Sequence, residues 1–99
     1  MITITAIIRS KDGKHEALSA ALCEVANYVA AHEPETVGFF VSQDTTDPRI
    51  FTTYERFATE AAKDLHNGSR AVQAFFQKAD MIVEQPVTLH VCREISKKA

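Results

Sequence analysis

Apolar residues recur at every second position from Ile2 to Ile8, at three- and four-residue spacing from Leu18 to Val29, and at every second position again in two runs joined by a short loop. Helical spacing then returns, and a last alternating run closes the chain. A period of two marks a strand and one near 3.6 a helix, so the order is strand, helix, strand, strand, helix, strand. That order predicts an α+β fold, the ferredoxin-like βαββαβ arrangement of a four-stranded antiparallel sheet with helices on one face. A length of 99 residues predicts a single domain over residues 1–99. Domains of this size bury about 60 to 70% of the surface their unfolded chains expose.

In the first strand Ile2, Ile4, Ala6 and Ile8 alternate with Thr3, Thr5 and Arg9, with Ile7 the exception, the pattern of a strand buried mainly on one face. Lys11-Asp12-Gly13 breaks it, and Asp12 is expected to cap the following helix. Leu18, Leu22, Val25, Val29 and His32 form that helix's stripe, while Ala17, Ala20, Ala21, Ala26, Ala30 and Ala31 raise its helix propensity. Glu33-Pro34 ends it, because the residue before proline is pushed out of helical geometry. Val37 to Gln43, with Phe39, Phe40 and Val41, reads as a strand. Asp44-Thr45-Thr46-Asp47-Pro48 reads as a loop. Ile50 to Phe57, rich in β-branched and aromatic residues, reads as the next strand, and the pair makes an antiparallel hairpin. Thr59-Glu60-Ala61-Ala62 starts a short helix that runs to His66 before Asn67-Gly68 interrupts it. From Ser69 a second helical piece places Val72, Phe75, Phe76 and Ala79 on one face. The last strand spans Val83 or Val87 to Ile95, bent at Pro86 or starting after it, since proline gives no N–H to a ladder.

Ile7 beside Ile8 and Phe39 beside Phe40 make the sheet bulky on both faces, and helices from so small a chain cover only one. The bare face is expected to pack against the same face of a second copy, giving a two-fold homodimer. A net charge of -2 and a pI near 6.0 lack the basic stripe of nucleic-acid binders, so no nucleic-acid partner is expected. Lys97-Lys98 reads as a solvated tail. No apolar stretch approaches the ~20 residues that cross a bilayer. The segment Met1 to Ile8, interrupted by Thr3 and Thr5 and without a basic lead, does not read as a signal peptide. A cytoplasmic protein with no membrane partner is expected. Cys23 and Cys92 show neither CxxC nor metal-ligand spacing and are expected to be buried free thiols. His15, His32 and His90 lack companion ligands, so no metal is expected.

The stretch Tyr54-Glu55-Arg56-Phe57, Glu60-Ala61-Ala62 and His66-Asn67-Gly68-Ser69 runs a strand into a helix. It supplies a phenol, a carboxylate and an imidazole, the last being the group best suited to moving protons near neutral pH. Plainer readings stand beside that one. His66 answers a helix dipole, Glu55 pairs with Arg9 or with the partner's Arg56, and Ser69 is an N-cap. Of the adjacent Phe75 and Phe76, one fills the core and the other the cleft or surface. Strand alternation divides the motif: Glu55 shares its face with Phe51, Thr53 and Phe57, and Tyr54 shares its face with Ile50 and Thr52. If the helices cover the Phe51 and Phe57 face, Glu55 meets His66 and Tyr54 turns toward the second copy.

Gly13 after the first strand, the Glu33-Pro34 helix end and Asp44 with Asp47-Pro48 in the hairpin join Tyr54-Glu55-x-Phe57 and Ala62-x-x-x-His66-x-x-Ser69 in a wider pattern. From Ile2 to about Ile95 the chain resembles the antibiotic biosynthesis monooxygenase domain. The resemblance implies a dimeric α+β barrel. Similar domains include cofactor-free monooxygenases of quinols and polyketide aromatics, enzymes that process the phosphorylated autoinducer-2 signal, and haem-degrading enzymes. Three departures bear on the choice among them. Glu35 stands where relatives often have glycine, and Ala71 where many carry a second histidine or a tyrosine. The chain has no tryptophan, on which haem-degrading members typically rely.

The resemblance implies chemistry without a cofactor, on a small aromatic substrate that reduces oxygen once deprotonated. The protein must then take a proton, hold the anion and exclude water. In that scheme His66 is the catalytic base and Glu55 orients it or shares its proton. Tyr54 and Ser69 are polar substrate-binding groups, and Phe39, Phe57 and Phe75 form apolar walls. A second reading, favoured by Ala71, is a non-catalytic dimeric ligand-binding or stress-associated domain. A third, isomerase-type processing of a phosphorylated signal, needs a cationic anchor, for which Arg9 and Arg70 are the candidates.

Overall fold

A computed structural model describes residues 1–98; Ala99, the last residue of the expected domain, lies outside the described residues. The elements are β1 (Ile2–Ser10), α1 (His15–His32), β2 (Thr36–Gln43), β3 (Ile50–Phe57), α2 (Glu60–Asn67), α3 (Arg70–Ile82) and β4 (Val83–Arg93). The sheet runs β2-β3-β1-β4 with every neighbouring pair antiparallel. This is the ferredoxin-like α+β fold, its second crossover made of two helices rather than one.

Register sets which side chains share the helix-covered face. Ile4 lies opposite Glu55, Ala6 opposite Thr53 and Ile8 opposite Phe51, and Phe39 lies opposite Glu55 from the other side. All of these except Phe39 are buried. The largest core cluster joins Ala6, Ile8 and Phe51 of the sheet to Leu18, Ala21 and Leu22 of α1 and to Ile82 and Val83 at the α3–β4 junction. A second packs Ile4 and Phe57 against Ala62 of α2, and a third seals α1 to α3 through Val25, Val29 and Val72. Full burial of a side chain such as Phe51, Phe57 or Leu18 stabilises the fold by about 1.5 to 3 kcal/mol.

Several local expectations are corrected. Asp12 does not cap α1: Gly13 takes the left-handed conformation at φ 73°, the N-cap is Lys14 without a side-chain bond, and Asp12 pairs with Arg49. His32 leaves the buried stripe, which ends at Val29, and its ring packs on Tyr28. Both cysteines are exposed, not buried; Cys23 falls off the Leu22–Val25 stripe, and Cys92 pairs across from Thr3 on the open sheet face. The last strand ends at Arg93 rather than Ile95. It passes through Pro86, and its pairing with β1 shifts register between Ile7 and Arg9, opposite that proline.

The open face presents Ile7, Phe40 and Tyr54 among threonines. Phe40 lies opposite Tyr54 in the register, and their rings are 6.4 Å apart and near parallel. No described helix is long and apolar enough to cross a membrane.

Candidate functional site

Three buried ionisable side chains meet beneath α2, each delivered by a different local rule. Thr59 caps α2 by accepting from the backbone N–H of Ala62 at 3.1 Å. One turn further on, His66 falls on the same buried face as Ala62. Alternation in β3 turns Glu55 to the helix side. Proline ends α1 after Glu33, whose N–H still bonds Val29 and whose carbonyl accepts from Thr36 N, so the chain turns with the Glu33 carboxylate inward.

The imidazole lies between the two carboxylates. Its Nδ1 is 2.8 Å from Glu33 Oε1 and its Nε2 is 3.2 Å from Glu55 Oε1. Thr53 Oγ1 donates to Glu55 Oε2 at 2.8 Å, and Thr36 Oγ1 donates to Glu33 Oε1 at 2.7 Å. The Phe39 and Phe57 rings pack beside the imidazole at 5.4 and 5.3 Å. A nitrogen lone pair facing a carboxylate is repulsive, so each contact requires a proton. The cluster therefore holds two protons among three groups and carries a net charge of -1. Burial, the largest single influence, works to lower the His66 pKa, but hydrogen bonds to Glu55 and Glu33 together with their charges outweigh it and raise the pKa above its ordinary 6.5. The position of His66 in the last turn of α2 favours the cation as well. Because the carboxylates sit at opposite nitrogens with the ring between them, they do not converge on a metal, and no metal-holding group occurs among the described residues.

Glu55 and His66 open onto a cleft of about 430 Å3 between the sheet and helices α1 and α3, walled by Leu22, Val25, Phe39, Phe75, Phe76 and Leu89. Among the described residues they are its only ionisable lining groups. A mainly apolar cavity of that size with a few polar groups suits a small organic ligand.

The structure thus joins Glu55 to His66 and places Phe39 and Phe75 on the cleft wall. It does not bring Tyr54, Ser69 or Phe57 there. Tyr54 lies on the opposite sheet face and donates to Glu94 Oε2 at 3.2 Å, beside the Arg56–Glu94 ion pair. Ser69 caps α3 through Val72 N. Phe57 is fully buried in the core and backs the imidazole. Glu55 does not pair with Arg9, which is bonded to Asp47, and the chain's own Arg56 is paired with Glu94. Arg70 lies over the Tyr28 ring, outside the cleft. Phe76 is 58% exposed at the rim, the outward member of the phenylalanine pair.

Sequence reasoning read Glu33 only as a helix stop. A usable signal existed, because a carboxylate at a helix C-terminus opposes the helix dipole and so points to an outside partner.

A family model described as antibiotic biosynthesis monooxygenase matches residues 1–78. Among solved structures, the chain is similar to protein SO0527 from Shewanella oneidensis, at 30% identity, TM-score 0.80, over 92% of this chain and 89% of that one. It also shares its fold with Rv0793 from Mycobacterium tuberculosis (17% identity, TM-score 0.89, 99% and 98% covered) and PA3566 from Pseudomonas aeruginosa (21%, 0.85, 96% and 94%). The comparison with curated proteins gave no match.

Proposed function

The chain belongs to the antibiotic biosynthesis monooxygenase family, and on that premise we propose that it is a cofactor-independent monooxygenase. Its substrate in this reading is a small, uncharged quinol or phenol, oxidised by molecular oxygen, with His66 and Glu55 as the acid–base pair. The observation that carries the reading is one ionisable cluster in a mainly apolar cleft of about 430 Å3, whose other polar lining residues among those described are Thr53, Asn67 and Gln85. The substrate O–H gives its proton to the Glu55–His66 pair, and the phenolate left behind is the electron donor to oxygen. That transfer moves the negative charge from the cluster to the substrate, so the net charge of the site is unchanged and the neutral cluster no longer repels the anion it has made. Phe39 and Phe75 exclude water from the anion.

A phosphorylated substrate fits less well. No lysine or arginine lines the cleft among the described residues, and the cluster's own negative charge repels an anion. The same reading takes the protein as a cytoplasmic homodimer, a dimeric α+β barrel closed through the open sheet face, where Ile7, Phe40 and Tyr54 are 48%, 58% and 40% exposed.

Oxygen uptake with a panel of hydroquinones and naphthols tests the proposal, comparing the natural protein with His66→Gln and Glu55→Gln after each is shown to be folded. Each substitution is expected to slow uptake by about 100-fold, the usual share of a positioned acid or base. No uptake with any member of the panel, or uptake indifferent to both substitutions, refutes the assignment. Tight binding of a panel member without uptake favours a non-catalytic ligand-binding domain.

A further inference from the structure

Different cavities are lined by Glu33 and by His66. The Glu55 side of the imidazole lines the large cleft. On its other side Glu33 belongs to a separate cavity of about 60 Å3, formed with Pro34, Glu35, Thr36, Ala62 and Leu65. Glu33 does not line the cleft, so a molecule bound there meets the imidazole and Glu55 but not Glu33.

The two contacts to the ring are unequal. The Glu33 contact is 2.8 Å and the Glu55 contact 3.2 Å, and a shorter charge-assisted hydrogen bond is the stronger one. Glu33 is 9% exposed, and its Oε2 is buried with no hydrogen-bond partner among the described residues. A carboxylate kept behind the ring with an unanswered oxygen is costly for packing alone.

From this geometry we propose that Glu33 is a positioning residue for His66. By holding Nδ1–H from outside the cleft, it makes Nε2 the nitrogen that gives up and regains a proton, aimed at Glu55 and the substrate. When the Nε2 proton passes to Glu55 Oε1, the imidazolium and carboxylate become a neutral imidazole and a neutral carboxyl. The reverse step restores both charges, and Nδ1–H stays in place throughout. The groups facing the ring are Glu33 from the end of α1, Glu55 and Phe57 from β3, and Phe39 from β2. On α2 itself, Lys63 pairs with Glu60 and Asp64 rather than with the ring. The catalytic consequence rests on the reading of His66 and Glu55 as the acid–base pair, whereas the position of the proton is a property of the resting protein.

The test is nitrogen-15 NMR of the His66 ring across pH in the natural protein, Glu33→Gln and Thr36→Val. In the natural protein Nε2 is expected to lose its proton as pH rises while Nδ1 keeps its own. Glu33→Gln is expected to lower the midpoint by about 1 pH unit, the smaller end of what an adjacent opposite charge contributes, and to mix the two tautomers. Thr36→Val leaves the imidazole as the only donor to Oε1, tightens the hold on Nδ1–H and raises the midpoint. If Glu33→Gln lacks the dispersed amide spectrum of a folded domain, Thr36→Val decides alone. Loss of the Nδ1 proton first, or an unmoved midpoint in the folded variants, overturns the proposal. The expected tautomer in a protein that oxidises nothing leaves this assignment standing and sinks the monooxygenase reading.

Discussion

Replacing His66 by alanine removes the group that neutralises two buried carboxylates, so its cost reports directly on the cluster. The Glu33 and Glu55 side chains are 6% and 9% exposed, and their contacts of 2.8 and 3.2 Å to opposite sides of the ring place their nearest oxygens about 8 Å apart. At an effective dielectric near 20, two like charges at that separation repel by about 2 kcal/mol. Each carboxylate also loses a hydrogen bond that nothing else replaces, at about 1 to 3 kcal/mol apiece. Rearrangement and water entry relieve part of this, which leaves about 3 to 5 kcal/mol, the usual cost of breaking a buried charged cluster. Against a total stability of about 5 to 15 kcal/mol, that is a large fraction. Urea unfolding followed by circular dichroism at pH 7 measures it. Adding Glu33→Gln to His66→Ala should recover about 2 kcal/mol by removing the repulsion. A cost below about 1 kcal/mol at pH 7 refutes the description of a buried carboxylate–imidazole–carboxylate cluster.

Other outcomes follow from individual contacts. The raised His66 pKa stabilises the folded state fully below the ordinary value of 6.5 and loses that contribution as pH climbs through the folded midpoint. Stability of the natural protein should therefore decline from pH 6.5 upward, and unfolding titrations of His66→Gln should lack that slope; equal slopes count against it. Ser69→Ala and Thr59→Ala each remove an N-cap bond and should each cost about 1 kcal/mol. Only Thr59→Ala is expected to disturb the His66 ring signals, because Thr59 caps the helix that carries His66. Phe40→Asp should give monomers in sedimentation if the open face is the dimer contact, whereas a dimer that persists excludes that face.

Much of the architecture could be read from periodicity. The alternation of Ile2, Ile4, Ala6 and Ile8, the stripe from Leu18 to Val29, and the hairpin bounds at Gln43 and Ile50 all reappear in the structure, because each reports which side of an element meets the core. Errors gathered where a single residue's side chain had to choose among several partners. Asp12 looked like a cap until Gly13 turned the chain ahead of the helix and Arg49 claimed the carboxylate. The two cysteines took the average behaviour of their residue type, which says nothing about which way a given helix or edge strand faces.

Within the site, strand alternation was enough to send Glu55 and Tyr54 to opposite faces of β3, since a period of two leaves no alternative. Spacing within α2 was likewise enough to put His66 beneath Ala62. The sequence by itself therefore determined the fold and the opposition of Glu55 and Tyr54, while the meeting of Glu55 with His66 stayed conditional on which face the helices cover. Only the tertiary structure decided that Glu33 meets the same imidazole. These two residues lie 33 positions apart on elements with no shared period, and they meet because Glu33-Pro34 ends α1 beside the last turn of α2. Local rules govern neighbours in sequence; a contact between the ends of two separately packed helices is set by how the whole sheet positions them.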